Sequence, residues 1–130
     1  MSQNTDIVKR GYDAFNSGDG ETLASIFAED VNWRGTADER VPGAGEFKSR
    51  DDALAALERT RGAFATFSSQ PDEFVEQGDT VVVLGHIEAQ TKAGKDLKVP
   101  FVNIWRLSNS KVHRGQLLTD TAVMIQALEA

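Results

Sequence analysis

Apolar residues at the start of the chain recur every three or four positions, which is the spacing of amphipathic helices. The stripe of the first predicted helix consists of Ile7, Val8, Tyr12 and Phe15. Residues 16–20 contain only Asn, Ser, Gly and Asp, and this turn-forming cluster ends the pattern. Asp19 is placed to cap a second helix. The stripe of that helix consists of Leu23, Ile26 and Phe27.

The next segment predicts a short strand, a loop and a third helix. Residues 31–33 form a short extended piece, and residues 35–47 are rich in Gly, Pro and charge, which predicts a loop. Ser49 followed by Asp52 is similar to a capping box at the start of a helix. We expect this third helix to continue to about residue 67, with Gly62 weakening its last turns.

Beyond Pro71 the apolar period changes from that of a helix to the strict alternation of a half-buried strand. The predicted strands span residues 73–76, 80–91, 96–107 and 111–119, and a final short helix spans residues 122–128. Short turns rich in Gly, Asn and Ser separate the strands, so neighbouring strands are expected to pair antiparallel. The order of elements predicts an α+β fold, with helices packed on one face of a curved, mostly antiparallel sheet.

Composition and charge narrow the possible functions. The length predicts a single domain over residues 1–130, and 40% apolar with 26% charged residues is typical of a globular protein. A net charge of -6 argues against nucleic acids and membranes as partners, since both attract basic surfaces. With no Cys and two His, we expect no disulfide, no metal site and no cofactor. The N-terminus lacks the apolar core of a signal peptide, so a soluble, cytoplasmic protein is expected.

Six short runs form an ordered set that extends over nearly the whole chain. They are YDAFNSGD at residues 12–19, IFAEDVNW at 26–33, GDTVVVLG at 78–85, VNIWR at 102–106, KV at 111–112, and the segment 120–128. The set resembles the nuclear transport factor 2-like superfamily, and in detail its SnoaL-like, ketosteroid-isomerase-related branch. The resemblance implies a cone-shaped fold, with three N-terminal helices and a short C-terminal helix against a curved sheet and a pocket at the open end.

Ketosteroid isomerases of this branch use an Asp base, opposed by a Tyr and a protonated Asp that stabilise an enolate. The resemblance places the base at Arg34 or Gly35, and neither residue can accept a proton from carbon at neutral pH. The second Asp falls at Asn103, whose amide still donates a hydrogen bond, and Tyr12 lies about one residue from the family's Tyr. We therefore do not expect steroid isomerisation by that mechanism.

SnoaL-like cyclases are similar to this chain near its C-terminus. They use an Asp eight residues before a Leu of the last helix, a spacing that Asp120 and Leu128 share. By this resemblance Asp120 acts as a general acid and base on a carbonyl compound, while Asn103 or Tyr12 holds an oxygen. The alternative is that Asp120 caps the last helix by accepting a backbone N–H of its first turn.

Strand alternation and the resemblance together indicate a pocket wall. Phe101, Asn103 and Trp105 share one face of a strand. A buried Asn there needs a partner, which is either a ligand carbonyl or a neighbouring Tyr or backbone group. The other expected pocket residues are Trp33, Leu57, Phe64, Val83, Gly85, His113, Gly115 and Leu117.

Three features of this pocket have a second interpretation. His113 is either a pocket residue or a plain strand residue, and Gly115 either widens the cavity or marks a bulge. Residues 42–45, with the sequence PGAG, lack the Lys and Ser or Thr of a phosphate loop. They form either a mobile flap over the cavity or a simple loop.

The opposite face of the same strands is also apolar. His86 alternates with the pocket-facing positions and is expected on this outer face. The apolar residues of the outer face are Val82, Leu84, Val102 and Ile104. An apolar surface of this extent requires a cover, so we expect a homodimer through the outer sheet face.

Two functional hypotheses follow from the sequence. In the first, an apolar pocket binds a lipophilic small molecule bearing a carbonyl or hydroxyl, and cofactor-free acid/base chemistry of an isomerase or cyclase type follows. In the second, the chain is a non-catalytic ligand-binding or dimeric protein-interaction module. The missing base at positions 34–35 favours the second hypothesis.

Overall fold

The computed structural model of the protein describes residues 3–129. The helices are α1 (Gln3–Ser17), α2 (Gly20–Ile26), α3 (Arg50–Gly62) and α4 (Thr121–Glu129). The strands are β1 (Phe27–Arg34), β2 (Glu46–Phe47), β3 (Phe64–Gln77), β4 (Thr80–Thr91), β5 (Asp96–Ser108) and β6 (Lys111–Thr119). Within these residues, no helix is long and apolar enough to cross a membrane.

The strands form one sheet in the order β2-β1-β6-β5-β4-β3. Every neighbouring pair is antiparallel except β1 and β6, which run parallel. Strands β3 to β6 follow one another along the chain and pair in sequence, whereas β1 joins the sheet beside the last strand. The expected α+β fold with a mostly antiparallel sheet is confirmed.

The predicted helix starts are confirmed by their capping bonds. The Asp19 carboxylate accepts a hydrogen bond from the backbone N–H of Thr22 at 3.0 Å. The Ser49 hydroxyl accepts one from the backbone N–H of Asp52 at 3.2 Å. Each cap satisfies a backbone donor that the first helical turn leaves without a partner inside the helix.

The third helix is shorter than expected, and the strand that follows it is longer. Helix α3 ends at Gly62, and β3 runs without interruption for 14 residues, through Pro71. Proline lacks a backbone donor and is tolerated in a strand only at an edge or a bulge. Both conditions hold here, because β3 is an edge strand and its register shifts between Pro71 and Glu73.

The first strand also begins earlier than expected. Phe27, expected at the end of the second helix, instead opens β1 and lies beside Val112 in the parallel pair. The C-terminal end of β1 pairs with β2, where Trp33 lies opposite Phe47. The predicted loop over residues 35–47 is therefore correct except for its last two residues.

The core lies between the helices and the inner face of the sheet. Along β4 and β5 the odd-numbered residues are buried, except for the half-buried Gly85 and Trp105, and the even-numbered residues face outward, as strand alternation predicts. Helix α1 packs against β3 and β4, and α3 packs against β1 and β3. Ala53 and Ala56 of α3 are completely buried, so small side chains let this helix approach the sheet closely.

Candidate functional site

A cavity of about 80 Å³ lies between the helices and the inner face of the sheet. Its walls come from all four helices, the loop after β1, and strands β1 and β3 to β6. Its apolar lining residues include Val8, Phe15, Leu23, Ile26, Phe27, Trp33, Val41, Leu57, Phe67, Ile87, Trp105, Val112, Leu117 and Met124. The side chains that contribute polar atoms are Tyr12, Thr36, Thr60, Ser69, Asn103 and Trp105.

No lining residue in the described part of the chain carries a formal charge. Asp, Glu, Lys, Arg and His are all missing from the wall, and the phenol of Tyr12 is its one titratable group. Within residues 3–129, no three His, Asp or Glu side chains converge as a metal site would require. A neutral, mostly apolar environment of this kind disfavours a charged ligand, because the wall offers no counter-charge for an ion taken out of water.

A hydrogen-bond network of three side chains occupies one part of the wall. The Tyr12 hydroxyl donates to Asn103 Oδ1 at 2.5 Å and accepts from Trp105 Nε1 at 3.0 Å. Asn103 Nδ2 donates in turn to the backbone oxygen of Gln116 at 3.2 Å. Asn103 therefore has both internal partners that the sequence offers as an alternative to a ligand.

Burial keeps the Tyr12 phenol protonated. Burial raises the pKa of Tyr12 far above its usual value, and the hydrogen bond from Trp105 only partly opposes this effect. A phenol in this state donates a hydrogen bond and cannot act as a base near neutral pH. The O–H of Tyr12 is thus committed to Asn103, and the residue has no proton-accepting role at neutral pH.

Thr36 contributes to the cavity wall a polar atom that has no hydrogen-bond partner among the described residues. The residue lines the cavity and is only 6% exposed, and its hydroxyl has no hydrogen-bond partner among residues 3–129. Leaving a buried hydroxyl without a partner costs about 1–3 kcal/mol. The protein retains this unfavourable group in the wall of its cavity.

The loop of residues 35–45 closes one side of the cavity and is held at several points. The Gly35 N–H donates to the Gly45 oxygen at 2.8 Å, and the Gly45 N–H donates to the Thr36 oxygen at 2.9 Å. The Thr60 hydroxyl on α3 donates to the Pro42 oxygen at 2.7 Å. Gly43 packs against the same turn of α3 with φ +86°, a conformation that favours glycine. The loop is thus fixed to the helix in this structure and covers the cavity.

The size of the cavity is small compared with that of known ligand sites. An engineered cavity of about 150 Å³ in another protein admits a benzene molecule. The cavity here, of about 80 Å³, is roughly half as large. A ligand with an aromatic ring therefore requires the wall to yield, and the loop over residues 35–45 is the part of it without regular secondary structure.

The structure brings several of the predicted site residues to the cavity wall. They are Tyr12, Trp33, Leu57, Asn103, Trp105 and Leu117. Trp33 and Trp105 stack on each other with their ring centres 5.5 Å apart. The chain contains two Trp, and both lie in this wall.

Five other predicted pocket residues lie outside the lining. The Tyr12 ring stacks over Phe101 at 6.1 Å, and Val83 is fully buried beside Asn103 in the strand register. A Cβ on Gly85 would collide with the Phe101 ring, and one on Gly115 would collide with the Trp105 ring. The two glycines therefore make room for aromatic side chains, and Gly115 does not widen the cavity.

The fifth of these residues, Phe64, is displaced by the early end of α3. It begins β3 opposite Thr91 and packs against Phe67 at 5.2 Å between ring centres. Phe67 lines the cavity in its place. The prediction of a longer helix caused this error, because a helix and a strand place residue 64 on different surfaces.

His113 is turned away from the cavity by a bulge. Val112 lies opposite Leu107 and Gly115 lies opposite Trp105, so β6 has one more residue than β5 between these pairs. The extra residue reverses the alternation, and the His113 side chain is 39% exposed, 3.7 Å from the Asp30 carboxylate. The pocket interpretation of His113 is wrong for this reason.

Asp120 is a helix cap and does not line the cavity. Its carboxylate accepts a hydrogen bond from the backbone N–H of Val123 at 3.2 Å, and the residue is exposed to solvent. The structure thus places Asp120 outside the cavity wall, whereas the expected acid and base role would require it in that wall. Capping leaves the carboxylate oxygen directed at the first turn of α4.

His86 lies on the outer face, as its alternation predicts. Its ring nitrogens lie 2.8 Å from the Asp72 carboxylate and 3.2 Å from that of Glu88. The hydrogen bond with Asp72 is the main cause of a raised pKa for His86. This side chain lies at one end of the apolar outer face and is not among those that line the cavity.

The sequence analysis did not predict several lining residues. The most important of these is Thr36, because its hydroxyl is a polar group without a partner in the part of the chain that the structure describes. Thr36, Val41 and Pro42 lie in a loop, where neither helical nor strand periodicity indicates which side chains face inward. The one available signal was the short distance along the chain between Trp33 and this loop. Ser69 and Phe67 were missed because their segment was assigned to a helix and its end.

Comparisons with known proteins agree with the fold. None of the curated proteins matches the chain. A nuclear transport factor 2-like protein of unknown function from Burkholderia pseudomallei is 28% identical, with a TM-score of 0.90 and full coverage of both chains. TerC, co-crystallised with polyporic acid, is 25% identical with a TM-score of 0.91, covering 99% of this chain and 100% of its own. Bal32a, from a soil-derived mobile gene cassette, is 29% identical with a TM-score of 0.87, covering 97% and 96%.

The family of the chain is identified by a family model that matches most of its sequence. The model of the SnoaL-like domain matches residues 8–114, from the first helix to the bulge of β6. The cone of helices on an open sheet is the same in the solved structures described above. The chain belongs to the SnoaL-like domain family, within the nuclear transport factor 2-like superfamily.

Proposed function

We propose that this protein binds a neutral, lipophilic small molecule that bears a hydroxyl or carbonyl group, in the cavity between its helices and sheet. The observation that carries this proposal is the composition of the wall, which is rich in aromatic and aliphatic side chains and has no charged residue among those described. Apolar pockets with a few placed polar groups are the usual form of small-molecule sites.

The relatives support a small-molecule ligand. TerC, which shares the fold over nearly the whole chain, was co-crystallised with polyporic acid. The aromatic rings of Trp33, Trp105 and Tyr12 give this chain a surface on which a flat ring can stack. Proteins that share a fold can bind different ligands. The composition of the cavity wall, and not the ligand of a relative, therefore indicates the class of ligand.

The site favours binding over acid/base chemistry. A proton transfer near neutral pH needs a group whose pKa lies close to the working pH, within hydrogen-bond reach of the substrate. Asp120 caps α4 outside the cavity, and burial keeps Tyr12 protonated. The non-catalytic ligand-binding hypothesis is therefore the better supported of the two.

A direct test uses the two tryptophans as reporters. Because both indole rings lie in the wall, a ligand that enters the cavity is expected to change Trp fluorescence and shift the two indole N–H signals in NMR spectra. A panel of neutral aromatic alcohols and ketones is titrated into the protein. No response from any member of the panel would contradict the proposal.

Two matched variants on α3 establish where such a ligand binds. Leu57 lines the cavity, whereas Leu54, one turn earlier and similarly half-buried, does not. Leu57→Phe adds volume to the wall and is expected to weaken binding at least about tenfold by occupying the ligand's space. Leu54→Phe is expected to leave affinity unchanged. Equal affinities for the two variants would place the ligand outside the cavity.

We further propose that the outer face of the sheet pairs with a second copy of the chain. Leu84 is 40% exposed, Leu118 is 50% exposed and Val75 is 47% exposed, an unusual fraction for large apolar residues. These residues join Val82, Val102 and Ile104 in one band, because the strand register makes them cross-strand neighbours. Burial of such a band against its copy is favourable, at about 25 cal/mol per Å² of apolar surface.

The dimer is tested by sedimentation at micromolar concentration. The wild-type protein is expected to sediment as a dimer, and Leu84→Asp is expected to sediment as a folded monomer, since a charge at the centre of the apolar band opposes its burial. Glu73→Gln, at the neighbouring position on β3, serves as the control and should remain dimeric. A monomeric wild-type protein would contradict the proposal.

A further inference from the structure

We propose, resting on the binding function above, that the Thr36 hydroxyl hydrogen-bonds an oxygen of the ligand and that Thr36 stands where the ligand enters the cavity. Two independent observations support this assignment. The first is the unsatisfied hydroxyl itself, and the second is the position of Thr36 between the cavity and a groove on the surface.

The hydroxyl of Thr36 is chemically distinct from the other polar atoms of the wall. Tyr12, Asn103 and Trp105 already bond to one another, the Thr60 hydroxyl donates to the Pro42 oxygen, and Ser69 is only half-buried. Thr36 is 94% buried, and its hydroxyl is the one buried side-chain polar atom in residues 3–129 without a partner. Buried polar groups are almost always hydrogen-bonded, so an orphan in a cavity wall indicates a partner that comes from outside the chain.

Thr36 also separates two spaces. It lines the cavity together with Gly35 and Leu117, and the same three residues line a groove on the protein surface. The rest of that groove includes the charged side chains of Arg34, Asp38 and Glu46, which have no counterpart among the described residues of the cavity wall. A molecule that moves from the groove into the cavity passes the thin wall at Thr36 and Leu117. An apolar ring inside and a polar end outside would match the two environments.

The local structure holds the hydroxyl in a fixed place. The Thr36 backbone oxygen accepts the Gly45 N–H at 2.9 Å, and its neighbour Gly35 donates to Gly45 at 2.8 Å. A β-branched side chain has few accessible rotamers, so little freedom is lost when a ligand binds. A hydroxyl donates one hydrogen bond and accepts others, and it therefore serves both ligand hydroxyls and ligand carbonyls.

The test compares phenol with toluene. The two molecules have nearly the same shape, but phenol carries a hydroxyl where toluene carries a methyl group. Both are titrated into wild-type protein and into Thr36→Val, which keeps the β-branched shape and removes the hydroxyl. The indole N–H signals of Trp33 and Trp105 report binding. The preference of the wild type for phenol over toluene, measured as a ratio of Kd values, is expected to fall about fivefold to tenfold in Thr36→Val.

Thr36→Ser serves as the matched control, since it keeps the hydroxyl and loses only a methyl group. It is expected to retain the wild-type preference for phenol. If Thr36→Val and wild type show the same ratio of Kd values, the assignment of Thr36 is wrong while the binding function stands. If neither phenol nor toluene binds wild-type protein at millimolar concentration, both the binding function and the role of Thr36 are overturned.

Discussion

Replacement of Trp105 by alanine is expected to lower the free energy of unfolding by about 3 kcal/mol, as large-to-small changes of buried aromatic residues do. The Trp105 ring fills the space that Gly115 leaves open and stacks on Trp33. Its Nε1 also donates to the Tyr12 hydroxyl at 3.0 Å, so the change removes a hydrogen bond together with the packing. The loss is measured by urea denaturation of the two proteins.

Trp105→Phe separates packing from hydrogen bonding in this experiment. Phenylalanine restores most of the ring volume but has no N–H, so this variant is expected to lose about 1–2 kcal/mol. Indole is expected to bind the space created in Trp105→Ala and to raise its melting temperature, since a ligand of the native state stabilises by mass action. A loss below about 1 kcal/mol in Trp105→Ala would show that the aromatic stack is not part of the core.

Asn103→Leu is expected to lower the free energy of unfolding by about 3 kcal/mol. The leucine side chain fills a similar volume, but the Tyr12 hydroxyl loses its acceptor and the Gln116 oxygen loses its donor. Each buried polar group without a partner costs about 1–3 kcal/mol. Denaturation monitored by Trp fluorescence gives the change, because both tryptophans lie near the network.

A double-mutant cycle distinguishes the network from the packing of Asn103. Tyr12→Phe removes the hydroxyl that Asn103 accepts from, so the Asn103→Leu change should be less damaging in the Tyr12→Phe background. We expect the double variant to be more stable than the sum of the single losses predicts, by about 1 kcal/mol or more. Additive losses would mean that Tyr12 and Asn103 do not interact energetically in solution.

Local sequence patterns predicted the second half of the fold well. The bounds of β4 and β6 agree with those predicted, because strict alternation there is interrupted by turns that need unusual backbone angles. Gly78 and Gly94 have positive φ, as do Asn109 and Ser110. Such residues mark a turn independently of any tertiary contact.

Sequence patterns gave wrong predictions where a segment could form either of two local structures and tertiary contacts decide between them. Phe64 and Phe67 are spaced for a helix, yet they lie in β3, because pairing with β4 stabilises the extended chain. The bulge at His113 likewise follows from a register that only the assembled sheet defines. Errors of this kind displaced two of the expected pocket residues, Phe64 and His113.

The site was predictable only in part. Tyr12, Asn103 and Trp105 could be placed in the wall from periodicity and family resemblance, since they lie on regular elements. Asp120 was consistent with two roles, and the sequence alone contains no information on which direction its carboxylate faces. Thr36 lies in a loop, where side-chain orientation depends on backbone contacts such as those with Gly45.

The parallel pairing of β1 with β6 has a consequence for how the protein is made. Phe27 lies beside Val112, and the Tyr12 hydroxyl bonds a side chain that is 91 residues away along the chain. Contacts so distant in sequence form late in folding, because closing long loops carries an entropic cost. A nascent chain on the ribosome therefore contains the segments of α1 to α3 long before the cavity can close, and ligand present during synthesis can stabilise only the finished protein.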